Sequence, residues 1–108
     1  MDLKKIVGER MKMLREGYGI SQKDLAKAIQ TNQSAITRYE NGICEPNLQT
    51  LFDYAVYFKV SIDWIFGRTE SRMEGTRLAD LNEEIVEGSP LYEKMKEVIT
   101  KIVNEQKK

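Results

Sequence analysis

The chain contains no histidine and a single cysteine, and each shortage closes off a class of chemistry. Without imidazole there is no histidine general base and no histidine metal ligand. One thiol, Cys44, permits no intrachain disulfide, and its place beside a turn reads as a reduced bystander rather than a redox switch. No glycine-rich loop has the spacing of a phosphate cradle, and acidic pairs such as Glu83-Glu84 read as solvated surface. No catalytic constellation remains, so no enzyme, no cofactor, no metal and no small-molecule substrate is expected. Apolar runs are too short to span a membrane, and Asp2 and Glu9 interrupt any amino-terminal signal sequence. A cytoplasmic protein with no membrane partner is the expectation.

Net charge is absent as well. Seventeen basic residues face seventeen acidic ones, so any attraction to nucleic acid has to be local. Lys4, Lys5, Arg10, Lys12, Lys23, Lys27 and Arg38 fall early in the chain, while Glu45, Asp53 and Asp63 follow, an order that points to one basic face. At 108 residues there is room for one small domain and an appendage.

What is present is organised around Ser21 to Gly42. Leu25, Ala26 and Ile29 lie on one face of a short helix, and Ile36 and Tyr39 on one face of a second. Ser21 is placed to cap the first, with Asp24 three residues on in a capping-box position. Asn32 is placed to cap the second, and Gly42 to end it. Only Gln30 and Thr31 separate the first helix from the second cap, so the two must cross steeply. This is a helix-turn-helix. The outer face of its second helix, Gln33, Ser34, Thr37, Arg38 and Asn41, lacks the Glu and Lys mixture of a merely solvated helix. Amide and guanidinium groups are those that read adenine and guanine edges in a major groove.

Other segments supply supports. Leu3, Val7, Met11 and Leu14 form one stripe of a first helix, capped by Asp2 and ended at Gly17 to Gly19. Asn47 caps a fourth helix with Leu48, Leu51, Phe52, Ala55 and Phe58 inward. Tyr54 and Tyr57 have room to reach outward, but aromatics at helical spacing are more often core than a stacking platform, and core is the default reading. Ser61 caps a short fifth, in which Ile62, Ile65 and Phe66 close the core and Trp64 lies at the edge.

From Ile6 to Gly67 the chain resembles the Cro/cI phage-repressor, or XRE, family of helix-turn-helix regulators. The likeness is carried by Arg15, Ile20-Ser21-Gln22, Leu25-Ala26, Ile36, Glu40-Asn41-Gly42, Pro46, Leu51, Ala55, Val60-Ser61-Ile62-Asp63 and Phe66-Gly67. It implies an all-α fold, a five-helix DNA-binding domain over residues 1–67. It also implies a double-stranded DNA operator as partner, with Gln33, Ser34, Thr37 and Arg38 on base edges and Gln22, Asn41 and Lys23 on phosphates. An ion pair between Arg15 and Glu40 would tie the first helix to the recognition helix, and Gln22 would brace Gln33. Two positions depart from the family: Gln30 and Lys59 stand where glycine is common. If those sites need a positive φ, each costs roughly 1–2 kcal/mol.

Residues 68–88 are polar and read as linker, with enough apolar spacing around Leu78, Leu81 and Ile85 for a weak helix over 77–86. Ser89-Pro90 then starts a carboxyl-terminal helix over 89–108. Its seam, Leu91, Met95, Val98 and Ile102, with Ile99 and Val103 beside it, must be buried against the fourth and fifth helices or against a second copy. Dimerisation is the expectation, and a repressor acting as a homodimer the functional one. The alternative is an antitoxin-like interaction module whose last helix binds another protein.

Overall fold

The computed structural model describes residues 2–75, 77 and 88–106, apart from the side chains of Leu91 and Gln106. Six helices follow in order: α1 (Leu3–Tyr18), α2 (Gln22–Ala28), α3 (Gln33–Glu40), α4 (Leu48–Phe58), α5 (Ile62–Ile65) and α6 (Pro90–Gln106). The expected all-α class holds, with a single isolated bridge, Ser61 to Arg77, as the extended pairing among the described residues. No helix among them is long and apolar enough to cross a membrane.

Local chemistry fixes the helix starts. Side-chain oxygens of Asp2, Ser21, Asn32, Asn47 and Ser61 each accept from the backbone N–H three residues on, satisfying a donor that the first helical turn leaves unpaired. Gly19 ends α1 in the left-handed region at φ 69°, and its N–H bonds back to the carbonyls of Arg15 and Glu16. Gln30 and Lys59 do adopt positive φ, 58° and 55°, so the strain expected of these two departures is present.

One apolar cluster joins all six helices, from Val7, Met11 and Leu14 through Leu25, Ile36 and Phe52 to Ile62 and Ile65. Of the two tyrosines of α4, Tyr54 is fully buried, as the core default has it, whereas Tyr57 reaches the surface; the expectation that changes is Trp64. Trp64 is also buried, with the guanidinium carbons of Arg10 and Arg72 at 4.6 and 4.8 Å from its ring centroid. Cation–π attraction of this kind is strongest on tryptophan. Arg72 comes from the segment read as linker. The Ser61 N–H donates to the Arg72 carbonyl at 2.8 Å, so the described part of that segment is laid against α5. The weak helix read over 77–86 falls outside the described residues, except at Arg77.

The carboxyl-terminal seam needs a correction. Its buried side chains are Tyr92, Met95, Ile99 and Ile102, and they enter this chain's own core. Val98 and Val103 are half-buried against that core, and the side chain of Leu91 lies outside the described residues. Tyr92 meets Phe52 edge-on with ring centroids 5.4 Å apart. The stripe is therefore rotated toward Ile99, and Met95 and Ile102, expected to join two copies, are already covered intramolecularly. An apolar stripe dictates that something must cover it, without dictating what.

Candidate nucleic-acid interface

Burial splits α3 cleanly. Ala35, Ile36, Tyr39 and Glu40 are buried, while Gln33, Ser34 and Arg38 are exposed and Thr37 half-exposed. The helix is thus held by one face and presents the polar one. Asn32 begins it, its side-chain oxygen accepting from the Ala35 N–H at 2.7 Å. Asn41 follows it and is exposed, and Gly42 turns the chain at φ 70°.

Two close contacts set where α3 lies. Gly8 sits in the middle of α1 and is buried; a Cβ there would stand 2.2 Å from the Tyr39 carbonyl oxygen and 3.2 Å from that of Glu40. Gly42 likewise leaves 3.3 Å between a would-be Cβ and the Lys5 Cα. Approach as near as that at Gly8 is possible only without a side chain, whereas at Gly42 a Cβ would be tight and the positive φ of 70° adds to the preference for glycine. Lys5 consequently stands beside the end of α3.

Beneath the exposed face runs a hydrogen-bonded chain through three helices. Arg15 of α1 donates from Nε to Glu40 Oε2 at 2.7 Å and from Nη2 to Oε1 at 3.0 Å, a bidentate pair. Its remaining Nη1 donates to the Ile20 carbonyl at 3.0 Å. The side chains are 14% and 2% exposed, so this pair is interior. The bond to Glu40 holds the Arg15 pKa above its ordinary value, against the opposing effect of burial. Gln22 of α2 donates to Glu40 Oε1 at 3.1 Å, and the Thr37 hydroxyl donates to Gln22 Oε1 at 2.9 Å. Tyr54 lies close below. Burial first, and the Glu40 carboxylate second, push its hydroxyl pKa well above the usual tyrosine value.

The residues expected at the site fall into two groups. Gln33, Ser34, Thr37 and Arg38 share the outward face of α3, where Arg38 Nη1 donates to Ser34 Oγ at 3.3 Å. Lys23, Lys27, Lys4, Lys5 and Lys12 are exposed. Gln22 is half-buried, and its recorded bonds go to Glu40 and Thr37 rather than to Gln33 as the resemblance implied. Arg10 leaves the expected basic face, since its guanidinium lies over Trp64 and donates to Glu70 at 3.1 Å. Gly8 is absent from the sequence reading, and Lys5, expected on the basic face, gains a defined place beside the end of α3. A glycine inside an amphipathic helix, next to its apolar stripe, was the available signal for the first.

The helix-turn-helix family profile matches residues 11–65. Among curated proteins, the chain is 30% identical over 84 residues to the HTH-type transcriptional regulator ImmR of Bacillus subtilis, covering 75% of this chain and 66% of that one. It is 31% identical over 62 residues to the HTH-type transcriptional activator BcrR of Enterococcus faecalis, covering 57% of this chain and 30% of the relative. Against the HTH-type transcriptional regulator DicA of Escherichia coli it is 29% identical over 66 residues, 61% of this chain and 49% of the other. The chain thus spans less than two thirds of each of these three relatives. No solved structure gives a significant match. The matched span runs from the middle of α1 to the end of α5, the elements that build and anchor the exposed face of α3, and the chain belongs to the XRE-type helix-turn-helix family.

Proposed function

We propose that this chain is a sequence-specific double-stranded DNA-binding repressor that acts in the cytoplasm as a homodimer. The observation that carries the reading is the exposed face of α3, with Gln33, Ser34, Thr37 and Arg38 held outward by the interior Arg15–Glu40–Gln22 network. A helix fixed this rigidly can present an amide and a guanidinium to base edges in a major groove. Exposed Lys23 and Asn41 flank that face and suit phosphate contacts, and Gln22 keeps a second amide N–H for the same purpose. The relatives ImmR, DicA and BcrR are named as transcriptional regulators or activators, which supports transcription as the process. Repression is favoured because occupying a promoter asks nothing beyond this face, whereas activation needs a further surface for polymerase. One recognition helix covers too few base pairs to select a site in a genome, so two copies on half-sites about 34 Å apart are required. The interaction-module alternative needs an available apolar face on α6, and Met95, Ile99 and Ile102 are covered by the core.

The test is selection of an operator from random DNA, followed by competition binding with variants. Arg38→Ala and Gln33→Ala should each relax base preference, by about 1–3 kcal/mol per good contact, with folding intact. Lys23→Ala should weaken all sequences alike and lower the salt dependence by about one counterion. Retention of the parent's full discrimination by both α3 variants refutes the assignment of this face.

A further inference from the structure

We infer that Thr37 reads DNA only as a hydrogen-bond acceptor, so that it selects a base carrying an exocyclic amino group, cytosine or adenine, and rejects guanine. The inference rests on the DNA-reading function proposed above and specifies the chemistry of one of its residues.

The argument starts at Arg15. Its bidentate contact with Glu40, at 2.7 and 3.0 Å, requires an ionised carboxylate, and an ionised carboxylate can only accept. The Gln22 side chain lies 3.1 Å from Glu40 Oε1, so it must turn its NH₂ group that way. Its carbonyl oxygen is thereby turned toward α3, where Thr37 Oγ1 approaches to 2.9 Å. Among the described residues the hydroxyl's other partner, the Gln33 carbonyl at 3.0 Å, is also an acceptor. A hydroxyl has one proton, and both neighbours compete for it. None is left for DNA. What Thr37 still offers at the surface is lone-pair capacity on an oxygen pinned between two contacts.

In a major groove the groups that donate are adenine N6 and cytosine N4, whereas guanine presents only the acceptors N7 and O6. Thr37 is therefore matched to the first two and opposed to the third. Its neighbour Arg38 has the opposite character, since a guanidinium only donates. Adjacent residues of α3 thus demand complementary edges, and the Arg15–Glu40–Gln22 chain sets the polarity of one of them.

The experiment uses the operator selected by the full chain, with each base pair replaced in turn by the other three and binding measured by competition. The unmodified chain should prefer, at one base pair in each half-site, an amino-bearing base on the strand facing Thr37. Thr37→Val, which keeps the shape and removes the oxygen, should lose about five- to tenfold of discrimination there and leave other positions alone, the range expected for one hydrogen bond. Thr37→Ser should retain it. Thr37→Ala removes the same oxygen and repeats the measurement should the valine variant not fold by circular dichroism. An operator profile unaltered by loss of the hydroxyl, or a guanine preference that loss of the hydroxyl abolishes, overturns the inference while leaving sequence-specific binding in place. Failure of the unmodified chain to select any sequence overturns the proposed function as well.

Discussion

Replacing Glu40 by alanine tests how the recognition helix is held. The carboxylate accepts two bonds from Arg15 and one from Gln22, at 2.7, 3.0 and 3.1 Å, and its side chain is 2% exposed. Its loss strands the Arg15 guanidinium, itself only 14% exposed, with the Ile20 carbonyl as its remaining recorded bond. Breaking a buried pair from one side costs about 3–5 kcal/mol, most of it the desolvation of the abandoned charge. Small domains have in total about 5–15 kcal/mol of stability. A Tm fall on the order of 12–40 °C should follow for a domain of this size. A double-mutant cycle separates the pair from its surroundings: Arg15→Met with Glu40→Leu should be less damaging than either single change, because no charge is then left unpaired. DNA affinity should fall in the single variant even where it remains folded, since Gln22 and through it Thr37 lose their reference point. A Glu40→Ala cost below about 1 kcal/mol, the value of an exposed pair, would refute the reasoning.

Three further perturbations have definite signs. Gly8→Ala should lower Tm although alanine gains about 1 kcal/mol of helix propensity, because its Cβ would meet the Tyr39 carbonyl oxygen at 2.2 Å, and overpacking costs about 1–3 kcal/mol; a raised Tm would sink this account of the α1–α3 contact. Lys59→Gly and Gln30→Gly should each stabilise by up to about 1 kcal/mol in thermal melts, since both sites hold positive φ and glycine removes that strain at some cost in unfolded-state entropy; no gain at either site would count against the strain. Burial pushes the Asp53 carboxyl pKa up despite the Gln49 amide at 3.1 Å, so the ionised form carries a penalty at neutral pH that fades as pH falls from the folded-state value to the ordinary carboxyl value and is gone below it; Asp53→Asn should therefore be the more stable chain at pH 7, with the two stability curves converging in acid, and parallel curves would contradict it.

What the sequence makes legible is mostly what short-range chemistry controls. The caps at Asp2, Ser21, Asn32, Asn47 and Ser61 are each decided within three residues, and all five form as read. The outward face of α3 follows from its period, because Ile36 and Tyr39 must be inside. Contacts between distant residues are harder. Arg15 and Glu40 are 25 positions apart, and the pair was anticipated only through the family resemblance. Gly8 faces carbonyls more than thirty positions away, so its place beside the apolar stripe signals close packing without naming what packs there. Trp64 was placed at an edge because Arg10 and Arg72, which cover it, come from separate segments of the chain.

The carboxyl-terminal helix shows how the last of these gaps bears on function. Tyr92, Met95, Ile99 and Ile102 are each at most 9% exposed, and burial of side chains of this size contributes about 1.5–3 kcal/mol apiece. Arg68 and Glu105, 3.2 Å apart, join the carboxyl-terminal part of α6 to the residue after Gly67, although both are too exposed to add much. A second copy offering the same helix could replace these contacts only by exchange, with no gain in buried area to offset the entropy of association. Removing α6 would therefore uncover Phe52 and test folding before it tested association. The homodimer proposed above has to be made through surface other than these four side chains. Two copies on adjacent half-sites need only a weak contact to cooperate, because binding to one duplex makes the second association effectively intramolecular.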